Sequence, residues 1–169
     1  MSGTTQFAEV FKNEHRAIRD SLLNLIQAFR NRDVSKVNYF LTQAAALAGP
    51  HFRYEEEAFY PALIDVLDEE QVRKLISDHD RAIDAARNLA RLAARNELTE
   101  QDAQSGAKYT RSLLPHVFEC DGLSIMAELL PEEAMRQVLD SRDHSRGANL
   151  DLLRWANTAR SHTAAPESA

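Results

Sequence analysis

Apolar residues recur every three or four positions along most of this chain, which is the spacing of helices that bury one face. Ala, Leu, Arg and Glu are abundant and favour helix, and we identify no strand pattern. The spacing therefore predicts four long helices. Their apolar stripes are Phe7, Phe11, Ile18, Leu22, Leu25 and Phe29; Val37, Phe40, Ala44, Leu47, Ala58 and Ala62; Val72, Leu75, Ile83, Ala86, Leu89 and Ala93; and Leu113 with Val117.

Helix-start signals separate these stripes. Asp33 or Ser35 can cap the second helix, and the third begins after Asp68. Thr99 and Asp102 form an acidic variant of a capping pair before the fourth. Connections of only a few residues imply antiparallel neighbours. We therefore expect an all-α fold, an antiparallel up-down-up-down four-helix bundle with an additional C-terminal helix.

The bundle should occupy residues 1–130, because the sequence then restarts at Pro131, a residue suited to a first helical turn. Residues 131–160 are expected to form a C-terminal helical extension packed on or beside the bundle, with a break at Gly147 as an open alternative. Residues 161–169 are expected to be a disordered tail.

The C-terminal extension contains a second apolar patch, made of Leu150, Leu152, Leu153 and Trp155. Such a patch needs a partner surface. It could pack across the bundle, or it could join two copies of the chain in a homo-oligomer.

Composition narrows the classes of function. The 169 residues suit one domain, and 20 basic against 26 acidic residues give a net charge of −6 without a basic stripe, so we expect no nucleic acid partner. No apolar run approaches the roughly 18 residues of a membrane span, so we expect no membrane partner. One cysteine excludes an intrachain disulfide and fits a reducing compartment. These features predict a cytoplasmic protein.

Each of the four stripes is interrupted by one histidine. A buried imidazole costs free energy unless its polar atoms find partners, and a lone one is usually satisfied within the core. Antiparallel folding, however, would bring all four to a similar depth in the bundle interior. The four residues are His15, His51, His79 and His116.

The histidines form a doubled pattern with carboxylates. His15 and His51 are 36 residues apart, and His79 and His116 are 37 apart. Glu55 follows His51 by one helical turn and shares its face. Imidazole and carboxylate ligands favour iron, manganese or zinc. Two carboxylates could bridge two cations about 3.5 to 4 Å apart.

This pattern resembles hemerythrin and the hemerythrin-like HHE cation-binding domains, which are four-helix bundles around a non-haem di-iron centre. The resemblance covers roughly residues 7–130. It implies two iron ions, with manganese or zinc as less favoured occupants, and a small-molecule oxidant as partner. The implied terminal ligands are His15, His51, His79 and His116, and the implied bridging carboxylates are Glu55 and Asp121.

The match has one clear departure. Oxygen-carrying members have a fifth histidine, and Ile83 occupies that position here. The stripe predicts that Ile83 faces inward, so a hydrophobic residue replaces a ligand. This shifts the expectation from oxygen carriage towards redox chemistry.

The ligand near His116 has alternatives. On an ideal helix Glu119 is offset from His116 by about 60° and Asp121 by about 140°. Geometry favours Glu119, whereas the family pattern favours Asp121, which we take as the ligand. Glu56 is either a solvated acid or an extra site residue. Cys120, one turn after His116, is interpreted as a buried inert residue, with a metal-ligating or redox-sensitive thiol as the alternative.

The leading functional hypothesis is a hemerythrin-like non-haem di-iron protein that binds or reacts with dioxygen, hydrogen peroxide or nitric oxide. Whether it is an enzyme stays open, with peroxidase, catalase-like or oxidase-type activity as candidates. The alternative is an iron or redox sensor without turnover, in which site occupancy exposes or hides the patch around Trp155. A third interpretation is a bundle whose polar residues pair among themselves without metal.

Overall fold

The fold, a computed structural model, consists of helices joined by short turns, with no strand among residues 3–161, the part of the chain that it describes; the side chains of Gly3, Thr4 and Asp121 lie outside that description. The predicted all-α helical bundle is confirmed. The predicted disordered tail lies outside the described residues, apart from Ser161. The helices are α1 (Gly3–Arg30), α2 (Val34–Tyr54), α3 (Glu69–Ala93), α4 (Glu100–Asp121), α5 (Glu132–Ala148) and α6 (Leu152–Thr158).

Helices α2, α3 and α4 begin at the capping residues predicted from the sequence. Of the two candidates for α2, Asp33 is the cap, and its carboxylate accepts a hydrogen bond from the Lys36 amide. Thr99 and Asp102 form a reciprocal capping box at the start of α4. These side chains satisfy backbone N–H groups that no helical carbonyl can reach, which explains why short polar residues mark each start.

The second helix does not continue regularly to Ala62 as its stripe predicted. A π-helical turn, Glu55–Phe59, follows α2 and leads into a short helix, Tyr60–Ala62. The wider turn rotates the following residues, so Phe59 and Tyr60 are buried while Ala58 and Ala62 are only partly buried. Leu47 was also predicted to face inward and is exposed.

The four histidines lie between two apolar layers of the bundle. On α1, Phe11 belongs to one buried cluster and Ile18 to the next, with His15 between them. Helix α1 packs against α2 and α4, and α3 packs against α4 and α2. This packing places one histidine-bearing face of each long helix toward a common interior layer.

The C-terminal extension lies against the bundle, mainly on α2. Gly147 remains helical, and the break comes two residues later at Asn149, whose φ of 49° is left-handed. The backbone after the break passes so close to Gly49 that a Cβ there would lie 2.2 Å from the Leu150 carbonyl oxygen. Glycine is therefore required at this crossing.

The apolar patch of the extension is largely covered by the chain itself. Leu152 and Trp155 are buried in the same cluster as Ile18 and Phe52. The homo-oligomer therefore stays a prediction. Leu152 and Trp155, which belong to its predicted contact surface, are buried within the chain and do not support it. Among the described residues, no helix has the length and apolar character to cross a membrane.

Candidate metal centre

The four histidines converge in the interior of the bundle, one from each long helix. The side chain of every one is buried. Nε2 of His15 lies 3.2 Å from Nε2 of His51, and the rings of His79 and His116 are 4.7 Å apart between centroids. We call His15 and His51 the first half of the centre, and His79 and His116 the second half.

Glu55 joins the two halves. It is fully buried at the start of the π-helical turn, with Oε1 3.3 Å from Nε2 of His51 and Oε2 3.2 Å from Nε2 of His79. Neither oxygen makes an aligned hydrogen bond with any described residue. A buried carboxylate without such partners is costly, and a bound cation would offset that cost.

Two groups of candidate ligands share this carboxylate. In one, ligating atoms of His15, Glu55 and Cys120 lie within 4.8 Å of one another, and in the other, so do those of Glu55, His79 and His116. The arrangement offers two cation positions with a common carboxylate. The donor set, with Glu55 between imidazoles of both halves, fits a metal such as iron, manganese or zinc.

The outward nitrogens of three imidazoles are held by hydrogen bonds. Nδ1 of His51 donates to Glu14 at 2.9 Å, and Nδ1 of His79 donates to Glu56 at 2.8 Å. Nδ1 of His15 donates to the Phe11 carbonyl at 3.0 Å. A donor bond from Nδ1 leaves Nε2 available for a metal, and ligating histidines are commonly oriented in this way.

Arginines of the C-terminal segment hold the two outer carboxylates. Glu14 accepts from Arg142 of α5 at 2.6 Å, with Arg146 at 3.3 Å. Glu56 accepts two hydrogen bonds from Arg160, at 2.8 and 2.9 Å. Each half of the centre thus has an imidazole, a carboxylate and an arginine in series.

Two buried tyrosines complete the polar layer. The Tyr54 hydroxyl donates to Glu14 at 2.9 Å, and the Tyr60 hydroxyl lies 3.1 Å from Nε2 of His79 and 3.6 Å from Sγ of Cys120. Burial raises the pKa of both phenols well above 10. Both therefore remain protonated hydrogen-bond donors.

The electrostatic surroundings of the imidazoles differ. Burial acts to lower the pKa of His51, but the charge of Glu55 and the hydrogen bond to Glu14 outweigh it and raise that pKa to about 9. Burial and the charge of His79 lower the pKa of His116 to about 3. Burial would raise the pKa of Glu55, yet its neighbouring histidines hold it well below the usual value. Near neutral pH and without metal, the His51 imidazole is therefore positively charged and that of His116 is neutral.

The structure places two of the remaining candidate ligands, Glu119 and Glu56, outside the centre. The side chain of Glu119 is 56% exposed and lies 3.7 Å from Lys74 at the surface, so the structure does not bring it to the centre. Asp121 was predicted as a ligand, and its side chain lies outside the described residues. Glu56 contacts Nδ1 of His79 from outside. Besides His116, Cys120 is a described side chain of α4 that reaches the centre.

Sequence reasoning missed Glu14, Arg142 and Arg160. Glu14 directly precedes His15, but only its contact with His51 shows its role. Glu14 and Arg142 are 128 positions apart, and Glu56 and Arg160 are 104 apart. No local periodicity links residues at such distances, so the sequence contains no signal that could have paired them.

An apolar pocket of about 50 Å³ adjoins the centre, with His15, His51 and His116 at its edge and side chains such as Leu22 and Ala86 as its walls. This exceeds the roughly 10 to 15 Å³ that one water needs. A polar surface cleft of about 220 Å³ lies on the other side of His116. His116 therefore stands between solvent and the pocket.

Comparison with known proteins identifies one related family. The model of the hemerythrin HHE cation binding domain matches residues 6–123, which include every histidine and carboxylate of the centre but not the arginines of α5 and beyond. Comparisons with curated proteins and with solved structures gave no match.

Proposed function

Because this chain belongs to the hemerythrin HHE cation-binding family, we propose that it is a non-haem di-iron protein that binds or reacts with small oxidants such as dioxygen, hydrogen peroxide or nitric oxide. The carrying observation is Glu55, a fully buried carboxylate between imidazoles of both halves whose oxygens have no aligned hydrogen-bond partner among the described residues. Such a residue is suited to bridge two cations.

The proposed ligands are the four histidines and Glu55, with Asp121 as the family pattern has it. Iron is favoured because imidazole and carboxylate suit it and because two such ions would supply the redox equivalents that an oxidant accepts. The hydrogen bonds to Nδ1 of His51 and His79 hold their rings in place and direct Nε2 inward.

The surroundings of the centre favour a small ligand. The adjoining pocket is apolar and, at about 50 Å³, has a size that suits a small molecule. The Tyr60 hydroxyl is buried, protonated and beside His79, which places a proton donor at the centre. These features support an oxidant that is small and acquires a proton or a hydrogen bond when bound.

Metal analysis tests the proposal directly. Protein purified after iron supplementation is expected to contain two iron ions per chain. Less than one transition metal per chain would contradict the di-iron assignment. The exposed Glu119→Gln change is a control that should leave the metal content unchanged, because that side chain lies at the surface.

Reaction with oxidants distinguishes binding from turnover. Anaerobically reduced, iron-loaded protein is mixed in turn with dioxygen, nitric oxide and peroxide while its optical spectrum is recorded. A reversible adduct supports a binding protein, and peroxide consumption that disappears in His51→Ala supports an enzyme. No spectral change with any of the three would refute oxidant chemistry and leave metal binding standing.

A second candidate function, an iron or redox sensor, is favoured by one set of contacts. Glu56, which holds His79, is bound by Arg160, whose guanidinium lies 5.6 Å from the centre of the Trp155 ring. A change in metal occupancy could therefore reach the extension through three residues. Trp155 is the only tryptophan, so its fluorescence reports on this route.

The sensor hypothesis predicts that chelation changes Trp155 fluorescence in wild-type protein but not in Arg160→Met. The exposed neighbour Arg154 provides the control, since Arg154→Met should keep the wild-type response. Unchanged fluorescence on metal removal would contradict the sensor.

A further inference from the structure

The side chain of Cys120 faces the centre of the bundle and is fully buried. Its Sγ lies within 4.8 Å of ligating atoms of both His15 and Glu55. It also lies 3.5 Å from Nε2 of His116. Cys120 is thus close to both halves of the centre, a position that it shares with Glu55.

Cys120 belongs to an apolar core cluster, but polar groups also surround its sulfur. Besides the two imidazoles and the carboxylate, the Tyr60 hydroxyl lies 3.6 Å from Sγ. An inert cysteine behaves as a small hydrophobe and packs among apolar groups. Here polar donors and acceptors converge on the sulfur from α1, α4 and the segment between α2 and α3.

Helix geometry explains why the thiol reaches this position. Cys120 follows His116 by four residues, as Glu55 follows His51. Four residues on a helix leave an offset of only about 40°, so the two members of each pair share a face. Helix α4 therefore presents a thiol where α2 presents a carboxylate.

From this juxtaposition we propose that Cys120 is a ligand of the metal centre, bound as a thiolate. The inference rests on the proposed function, because it requires a metal between the two halves. An independent observation points to the same place: the buried oxygens of Glu55, without an aligned hydrogen-bond partner among the described residues, face the group that includes Cys120. The ligand set then contains sulfur as well as nitrogen and oxygen.

Thiolate binding involves no oxidation or reduction. The S–H bond breaks, its proton passes to solvent, and the sulfur electron pair forms the bond to the metal. The Tyr60 hydroxyl, 3.6 Å away, is placed to donate a hydrogen bond to the resulting thiolate. A soft sulfur ligand also changes which metals the centre prefers, favouring iron and zinc over manganese.

The test uses the full chain loaded with Co²⁺ as a spectroscopic probe and, separately, with iron. The wild-type protein is expected to show a thiolate-to-cobalt charge-transfer band in the near ultraviolet. X-ray absorption should detect one sulfur bound to the metal, at a distance of about 2.3 Å as in zinc thiolates. Since the chain has a single cysteine, a thiolate signal comes from Cys120 alone.

Two variants complete the experiment. Cys120→Ser should lose the band and the sulfur signal and bind metal at least about 10-fold more weakly, since the loss of even an outer-shell partner has that effect. Met135→Leu removes another buried sulfur from the apolar cluster that also contains Cys120, and it should keep both signals. Circular dichroism verifies that each variant is folded.

The wild-type spectrum decides the outcome even if Cys120→Ser fails to fold. Bound metal with no charge-transfer band and no sulfur ligand would overturn the role of Cys120 and leave the di-iron proposal intact. Wild-type protein that binds no metal would overturn both. A band that persists in folded Cys120→Ser would also refute the assignment.

Discussion

His51 and His116 occupy matching places in the two halves of the centre but opposite electrostatic environments. His51 lies between Glu14 and Glu55, which raise its pKa to about 9 against the effect of burial. His116 has no ion pair with a described carboxylate, and burial together with the charge of His79 lowers its pKa to about 3. The two histidines therefore carry different charges in the metal-free protein, although they occupy matching positions in the sequence pattern.

The described carboxylates that reach the second half come from the turn that follows helix α2. Both carboxylates that contact His79, Glu55 and Glu56, belong to the π-helical turn Glu55–Phe59. The second half thus takes its described carboxylates from the first half of the chain, while α4 contributes His116 and Cys120. Changes in the turn should affect both halves, and a change at His116 mainly the second half.

The largest expected effect is that of Glu55→Gln. The amide keeps the shape but loses the charge shared by both halves, so metal content should fall from two ions per chain to none. Metal analysis after dialysis measures this. Glu57→Gln, an exposed neighbour in the same turn, is the matched control and should retain both ions. Full retention in Glu55→Gln would show that the halves bind metal independently of this carboxylate.

His116→Ala should have a smaller and one-sided effect. The change removes one imidazole from the second half, whereas Glu55 and the first half keep their contacts. We expect one ion to be retained per chain, measured by metal analysis, with the second lost or weakened at least about 10-fold. Loss of both ions would mean that the two positions are occupied only together.

Replacing the outer arginines tests metal binding in each half of the centre separately. Arg142→Met should weaken metal binding in the first half, and Arg160→Met in the second, each by about 10 to 100-fold, because each holds the carboxylate behind a ligating imidazole. Competition with a chelator measures both affinities. Arg136→Met on the exposed face of α5 is the control. If all three variants bound metal with the same affinity, Arg142 and Arg160 would have no positioning role.

The smallest expected effect is the pH dependence of the metal-free protein. The raised pKa of His51 gives a stabilising contribution that is complete below its usual value of 6.5 and is lost as pH rises through about 9. Urea unfolding at about pH 6 and about pH 10 should differ by on the order of 1 to 3 kcal/mol more in wild type than in His51→Asn. Identical pH dependence in the two proteins would refute the shift.

Helix positions were predictable because their signals are local. Asp33, Thr99 and Asp102 cap helices through backbone groups three residues away, and the stripe of α1 depends only on a 3.6-residue period. The π-helical turn after Tyr54 has no comparable local signal. It shifted the buried residues from Ala58 and Ala62 to Phe59 and Tyr60.

The choice of site residue on α4 shows where sequence reasoning ended. The ideal-helix offset favoured Glu119 and the family pattern favoured Asp121. The structure turns Cys120 inward and leaves Glu119 beside Lys74 at the surface, while Asp121 stays a prediction because its side chain lies outside the described residues. The rotation of a helix about its axis depends on how its neighbours pack, so a difference of one residue cannot be settled from spacing alone.

The sequence by itself determined the long helices, most of their buried stripes up to the π-helical turn, and the presence of one histidine in each, because these depend on period and on polar interruptions within a turn or two. Only the tertiary structure decided which acids stand behind the imidazoles and that arginines from the C-terminal segment hold them. The arginine contacts join residues more than 100 positions apart, as between Glu14 and Arg142. They form only when packing the apolar faces brings distant segments together, and that packing also decides which side chains surround Glu55.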